Sequence, residues 1–396
     1  MHKPLLPWPH VARARLAEHY LDTADVTGAR AITLFGARGI GKTDFLVKDL
    51  APVAALRGYR VVFVDLQGNI DEPARLIAEA LRFGERSIDR LVRTFRTPVT
   101  RSQLSLGAAG PQFGAHFDHG DTSDSLLALA RAFDSLKATP RRPVLFILDE
   151  AQTLARERHL PVIAALRAAF QKHDAGILRV FSGSSRNGLE RMFRRARAPL
   201  FGQGGQQETF PSLAQPFIER ISDWFEAQTG GADLDRAAAR RGFAVLKGSA
   251  RLFRIAVADV IAGAQPSILA SCQAAREASP DLLVWQERLA RLRPVERALL
   301  ESIWKGRDEL YGAAHLEALA LTHGAPVSVS TVQSILNRFD RNGWIYRIEK
   351  GRYELDDVEL EIALEETAQQ AVLPLPALKA GRSRPSRPAS PTRRKG

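Results

Sequence analysis

Eight residues, Gly36-Ala37-Arg38-Gly39-Ile40-Gly41-Lys42-Thr43, have the spacing Gly-x-x-x-x-Gly-Lys-Thr. Glycines at these positions let the backbone curl until successive N–H groups converge, the geometry that cradles phosphate oxygens. Lys42 would reach the β- and γ-phosphates of a nucleoside triphosphate, and the Thr43 hydroxyl would ligate Mg²⁺. The flanks suit the same chemistry. Ala31–Phe35 reads as a strand and the stretch through Leu46, Val47 and Leu50 as a helix, so the loop would open onto the positive end of a helix dipole.

A second stretch supplies carboxylates. Residues 143–148 form an unbroken apolar run that ends in Asp149-Glu150, the pattern of a parallel strand covered on both faces. At the carboxyl end of that strand Asp149 would hold Mg²⁺ through water, and Glu150 would serve as general base toward the attacking water. A further strand, Ile177–Phe181, ends in Ser182-Gly183-Ser184-Ser185-Arg186. Its tip is expected between the loop and the acidic strand. There Ser184 would bond the γ-phosphate or the water, while Ser185 could equally cap the next helix. ATP and Mg²⁺ are the expected ligands, and hydrolysis of the phosphoanhydride the expected reaction.

Other segments must hold these groups in place. Helical spacing runs from Val11 to Leu21, Arg60–Leu66 reads as another buried strand, and Pro73–Leu81, Ser125–Lys137 and Pro161–Lys172 read as helices. Residues 84–124 are less regular. Ser102–Leu106 and Gln112–Phe117 flank Gly107–Pro111 as a hairpin insertion would, with Arg90, Arg93, Arg96 and Arg101 nearby as a solvated surface or a partner contact.

Composition narrows the class. The 396 residues are 45% hydrophobic and 25% charged, ordinary for a globular chain of two or three domains. No apolar run approaches the roughly 18–20 residues that span a bilayer. The first residues lack a signal-peptide core, and the lone Cys272, set among apolar neighbours, fits a reducing, cytoplasmic setting and a buried small side chain. The nine histidines show no metal spacing. The net charge is +12, but Lys379, Arg382, Arg384, Arg387, Arg393, Arg394 and Lys395 follow the last acidic residue, Glu366. Most of the excess is therefore a property of the tail, which is Pro-, Ser- and Arg-rich and reads as disordered.

Strand, phosphate loop, helix, the Asp149-Glu150 strand, Ser182–Ser185 and the later Ala198-Pro199-Leu200-Phe201-Gly202 together resemble the archaeal-type ATPases, near the AAA+ and signal-transducing STAND branches of the P-loop NTPases. The resemblance covers residues 10–265. It implies an AAA+/STAND-like parallel sheet of α/β class followed by a helical lid. It also implies a leading segment packed over the adenine base. The family usually has arginine where this chain has Gln203, which leaves that role unassigned. Gly248-Ser249-Ala250-Arg251 resembles the start of the sensor-2 helix in such lids, so Arg251 would approach the γ-phosphate. An arginine finger acting on a neighbouring subunit would come from Arg186, Arg194, Arg195 or Arg197.

Beyond Pro294 the pattern changes. Val295–Trp304 and the segment with Leu316, Leu319 and Leu321 read as helices. A third helix, capped by Ser330, places Val332, Ile335, Leu336 and Phe339 at i, i+3, i+4 and i+7. Residues 344–348 and 352–355 then bracket a Glu349-Lys350-Gly351 turn. This order resembles a winged helix-turn-helix domain. It implies double-stranded DNA as partner, with Thr331, Gln333, Ser334, Asn337, Arg338 and Arg341 toward base edges and Lys350 and Arg352 on phosphates. The acidic run Asp356, Asp357, Glu359 and Glu361 would oppose such contact if it faced DNA. The expected division is an ATPase core over 1–212, a lid over 213–290, a winged helix over 291–366 and a basic tail over 367–396. The function expected is an ATP-driven switch acting on DNA, without membrane contact. The alternative is a STAND-type assembly ATPase whose winged helix binds protein, and self-assembly or a protein partner suits either.

Overall fold

The computed structural model describes residues 7–66, 71–83, 122–193, 200–307, 309–349 and 351–372. The hairpin insertion with its four arginines, Arg194, Arg195, Arg197, Lys350 and the tail beyond 372 lie outside the described residues. Among those described, no helix is long and apolar enough to cross a membrane.

Five strands form one parallel sheet: β1 (Ala31–Phe35), β2 (Arg60–Asp65), β3 (Val144–Asp149), β4 (Ile177–Gly183) and β5 (Gln206–Thr209), in the order β2-β3-β4-β1-β5. Successive side chains of a strand point to opposite faces, and the apolar runs divide accordingly. Leu145 and Ile147 pack with Ile32, Leu34, Phe63 and Val180 beneath α1 (Ala14–Thr27) and α2. Helix α2 begins as Lys42–Phe45 and continues through a π-type stretch, Leu46–Leu50, into Ala51–Leu56. On the other face Val144, Phe146 and Leu148 meet α3 (73–83), α4 (Thr122–Leu136), α5 (Leu160–Lys172) and α6 (Arg186–Phe193). Phe170 is fully buried there, edge-on to Phe133, Phe146 and Phe181. Such a ring is worth roughly 1.5–3 kcal/mol by burial alone.

Strand β5 was not expected from its sequence. Gln206-Gln207-Glu208-Thr209 has no apolar run: Gln207 and Glu208 are only half-buried and Thr209 is exposed, and among the described residues the strand pairs with β1 alone. The chain reaches it through Gly205, at φ +60, where a Cβ would fall 1.8 Å from the Ala31 carbonyl oxygen.

A helical segment follows: α7 (Ala214–Thr229), α8 (Arg236–Val245), α9 (Ala250–Ile261) and α10 (Ile268–Glu277), sharing Phe217, Phe243 and Phe253 at its centre. Cys272 is buried in it, and burial pushes the thiol up to about 12, so this sulfur is packing rather than nucleophile.

A separate core joins α11 (Pro280–Ala290), α12 (Pro294–Trp304), α13 (Ala313–His323), α14 (Val329–Arg341), the β6 (Ile345–Glu349)–β7 (Arg352–Leu355) hairpin and α15 (Val358–Val372). Leu282, Trp285 and Leu289 of α11 pack into this C-terminal unit, so by packing 280–290 goes with it and not with the helical segment expected to end at 290. The cap of α14 is Ser328, not Ser330. Its hydroxyl accepts from the Thr331 N–H at 3.1 Å, while Ser330 meets only the Ser328 hydroxyl. Helix α15 carries ordered chain to Val372, past the expected boundary at 366.

Candidate active site

The loop between β1 and α2 begins where the Gly36 N–H donates to the Gly183 carbonyl of β4. Gly39 and Gly41 take φ +76 and +91, a region that side chains avoid. A Cβ on Gly36 would strike Ile40 at 2.5 Å, and one on Gly39 would strike the Ser249 hydroxyl at 2.6 Å. The cradle is thus closed by Ile40 on one side and by the start of α9 on the other. Ala37 lies half-buried and Arg38 reaches outward. Lys42 is 5% exposed, and its ammonium donates to the Gly36 and Ala37 carbonyls at 2.5 and 3.0 Å. Burial lowers its proton affinity, with Glu150 and Asp149 opposing.

The acidic pair meets the loop although β4 stands between β3 and β1. The Thr43 hydroxyl donates to Asp149 Oδ2 at 2.6 Å across 106 residues of chain. Asp149, 1% exposed, accepts at Oδ1 from the Ser182 hydroxyl and from the Glu150 N–H. Burial and the neighbouring Glu150 push its carboxyl up, while Ser182, Thr43 and Lys42 pull it down, and the balance is upward. Glu150 holds a left-handed backbone, φ 53, at a cost of about 1 kcal/mol or more for a residue with a Cβ. Thr153 fixes that bend, donating to the Glu150 carbonyl through both its N–H and its hydroxyl. Ser184 donates to Glu150 Oε2 at 2.9 Å, and the Gln152 amide donates to the same oxygen. Ser185 does cap α6, accepting from the Gly188 N–H at 2.9 Å. Arg186 lies over the Phe35 ring and reaches Thr209.

A hydroxyl and a carboxylate in contact beside a buried lysine form a donor set that suits a hard divalent cation and a polyphosphate. Ser182 and Gln152 belong to the same cluster and escaped the sequence reading. Ser182 lies near the carboxyl end of β4, and Gln152 carries no sequence signal of its own.

The helical segment closes the loop from the other side. The Arg251 N–H donates to the Gly39 carbonyl at 3.2 Å, and Arg254 approaches Asp44 at 3.4 Å. Burial would raise the Asp44 carboxyl, but Arg254 and Lys48 outweigh it and hold it low. The guanidinium of Arg251 pairs with Asp281 at 3.2 Å, and Arg38 of the loop meets the same residue at 3.5 Å. Residues preceding α1 complete the surround. Trp8 stacks on Trp224 at 4.1 Å, Arg13 donates to the Gly41 carbonyl at 2.7 Å and lies 4.4 Å over the Phe210 ring, and Asp49 accepts from His10 and from the Arg13 N–H. Trp8 Nε1, Arg13 Nε and Nη1, and Asp49 Oδ2 are buried there without hydrogen-bond partners among the described residues. An arginine so far upstream of the loop has no spacing signature.

Glu359 of α15 lies near Asp281. Burial, with Asp281 and Asp357 adjacent, pushes its carboxyl up to about 7, against Arg251 and Arg276, and its Oε2 has no hydrogen-bond partner among the described residues. The folded chain therefore keeps a proton that the unfolded chain releases near 4.5. Stability is expected to fall as pH rises from the unfolded value through 7, by on the order of 2–3 kcal/mol. Melting temperatures across that range should show the slope in the wild type and a flatter one in Glu359→Gln.

Of the residues expected to read DNA, Gln333, Ser334, Asn337 and Arg341 are exposed on α14, Thr331 is half-buried and Arg352 is exposed on β7. Val332, Ile335, Leu336 and Phe339 form the buried face. Arg338 pairs with the buried carboxylate of Glu296 at 2.6 Å. Of the acidic run, Glu361 meets Lys247 of the helical segment at 3.3 Å and Asp356 accepts from Ser185 of the core, while the later Glu365 and Glu366 meet Arg276 at 3.3 and 3.1 Å.

No protein-family model and no curated protein sequence matches the chain. Among solved structures it is similar to a Walker-type ATPase of Pyrococcus abyssi, with TM-score 0.57 and 15% identity over 92% of this chain and 98% of that one. Drosophila ORC bound to DNA gives TM-score 0.39 at 14% identity over 90% and 88%, and RuvB of Thermotoga maritima 0.36 at 15% over 91% and 94%. The first shows the fold, a P-loop ATPase-type parallel sheet. The other two are too distant to add to it.

Proposed function

We propose that the chain binds ATP with Mg²⁺ and hydrolyses it, and that its C-terminal unit is a winged helix through which nucleotide state governs contact with double-stranded DNA. The observation that carries the first half is the 2.6 Å bond between Thr43 and Asp149, with Lys42 buried beside them. Thr43 and Asp149 would hold Mg²⁺, which supplies positive charge to the β- and γ-phosphates when bound. Lys42 exchanges its bonds to the Gly36 and Ala37 carbonyls for phosphate oxygens. Residues 36–43 offer their N–H groups to the phosphates, and Glu150 takes a proton from the attacking water, with Ser184 bonded to it. Arg251 reaches the γ-phosphate only by leaving Asp281, so it reports the triphosphate in competition with an internal carboxylate. Residues 7–13 border the base.

The second half rests on a polar face and on where the negative charge lies. Gln333 bonds Tyr311 and Asn337, which presents amides in fixed orientation along α14. On α15, Glu361 pairs with Lys247, and Glu365 and Glu366 pair with Arg276, so these three carboxylates are turned to the helical segment. Arg341 is the discriminating position, because Arg338 also neutralises the buried Glu296. In gel-shift titrations at about 50 and 200 mM salt, duplex binding should weaken steeply, and Arg341→Ala should reduce the salt slope by about 1. Binding that is indifferent to Arg341→Ala but lost on deleting residues after 378 would assign DNA to the tail alone. An assembly ATPase whose winged helix binds protein is favoured by one observation. Arg191 of the core already occupies the carboxyl end of α14, donating to the Asp340 and Arg341 carbonyls. ATPase rates with and without duplex separate the two readings.

A further inference from the structure

We propose that Gln152 is a positioning residue that restrains Glu150 while the C-terminal unit is docked on the core, so that undocking releases the base. The inference rests on reading Glu150 as the general base of ATP hydrolysis.

Three sets of contacts form one chain. The Gln152 amide donates to Glu150 Oε2 and approaches the Ser184 hydroxyl at 3.1 Å, and Ser184 donates to that same oxygen. A carboxylate oxygen has two good lone-pair directions, so two donors fill it and leave no site there for water. The Gln152 side chain lies against both ends of the turn from β4 to α6. A Cβ at Gly183 would fall 2.3 Å from its Oε1, and one at Gly188 would fall 2.5 Å from its Cβ. Those glycines make the room in which it lies, and any shift of the turn moves it.

The same turn carries the contact to the C-terminal unit. Ser185, whose hydroxyl caps α6, donates to Asp356 Oδ2 at 2.5 Å. One turn and a half further on, Arg191 donates to the Asp340 and Arg341 carbonyls and pairs with the Asp340 carboxylate at 3.6 Å. Helix α6 is therefore gripped at both ends by residues about 150–170 positions away in sequence. Movement of the C-terminal unit, by DNA or by another partner, pulls on the helix whose first turn packs on Gln152.

Spatial continuity alone does not establish coupling, so the test is a double-mutant cycle on the full chain. Gln152→Leu keeps the volume against Gly183 and Gly188 but removes the donor. Arg191→Met keeps the aliphatic stem but removes the grip on α14, and Asp356→Ala removes the other hold. Each single variant should raise kcat for ATP by at least about threefold with KM unchanged. In the Gln152→Leu background neither Arg191→Met nor Asp356→Ala should raise it further. Additive increases, unchanged kcat in Gln152→Leu, or a fall in kcat would each overturn the proposal. Should Gln152→Leu melt early, Gln152→Met, which also lacks the amide donor but follows the shape of the side chain, is read by the same criteria. The underlying assignment fails separately: if Glu150→Gln turns over like wild type, Glu150 is not the base. If Glu150→Gln is dead while the cycle is additive, only the role of Gln152 falls.

Discussion

Glu150→Gln is expected to lower ATP turnover at least about 10²-fold while leaving ATP binding intact. The substitution preserves shape and an acceptor oxygen for Ser184, so the bonds that fix residue 150 can re-form. The left-handed backbone, held by the two Thr153 contacts to the carbonyl, involves no side-chain atom of residue 150. What is lost is the ability to accept a proton. Single-turnover phosphate release measured beside equilibrium ATP binding separates the two, and turnover equal to wild type would remove Glu150 from the mechanism. The fault would lie with this one assignment, since Thr43 and Asp149 meet irrespective of it.

Lys42→Ala should act on binding. The ammonium is buried, so its charge is weakly screened, and each charge-assisted bond it makes to a phosphate contributes about 1.5–3 kcal/mol. Two such bonds lost correspond to a weakening of ATP affinity of roughly 10²-fold or more. The Gly36 and Ala37 carbonyls also lose their donor. A melting curve taken without nucleotide therefore has to accompany the titration. Similar melting with lost affinity supports a phosphate-binding lysine, whereas lower melting with affinity unchanged would make Lys42 a brace of the loop.

The parts of the molecule legible in the sequence are those whose signal is local. Buried parallel strands must be apolar on both faces, so residues 144–148 declare themselves as a run, and the positive-φ positions of the phosphate loop require glycine at Gly39 and Gly41. From those two facts the meeting of Thr43 and Asp149 followed, because β3 and β1 end at the same edge of one sheet. What stayed hidden depends on contacts between distant segments. Asp281 lies 243 residues from Arg38, and nothing around it distinguishes a helix-start carboxylate from the partner of two arginines. Gln152 is one polar residue after a strand until the fold brings Ser184 against it. Glu361 reads as part of a repulsive surface until Lys247 is seen to pair with it. Strand β5, with Gln207 and Glu208 half-buried and Thr209 exposed, lacks the apolar pattern by which buried strands are recognised.

Isothermal titration of the full chain with ATP, in the presence and absence of Mg²⁺, bears most directly on whether the loop and the acidic pair make one site. A magnesium-bound triphosphate held between Lys42, Thr43 and Asp149 requires saturable binding that strengthens when Mg²⁺ is added and weakens in Asp149→Asn. Binding that is absent, or that is equally tight with and without Mg²⁺ and in Asp149→Asn, would contradict it.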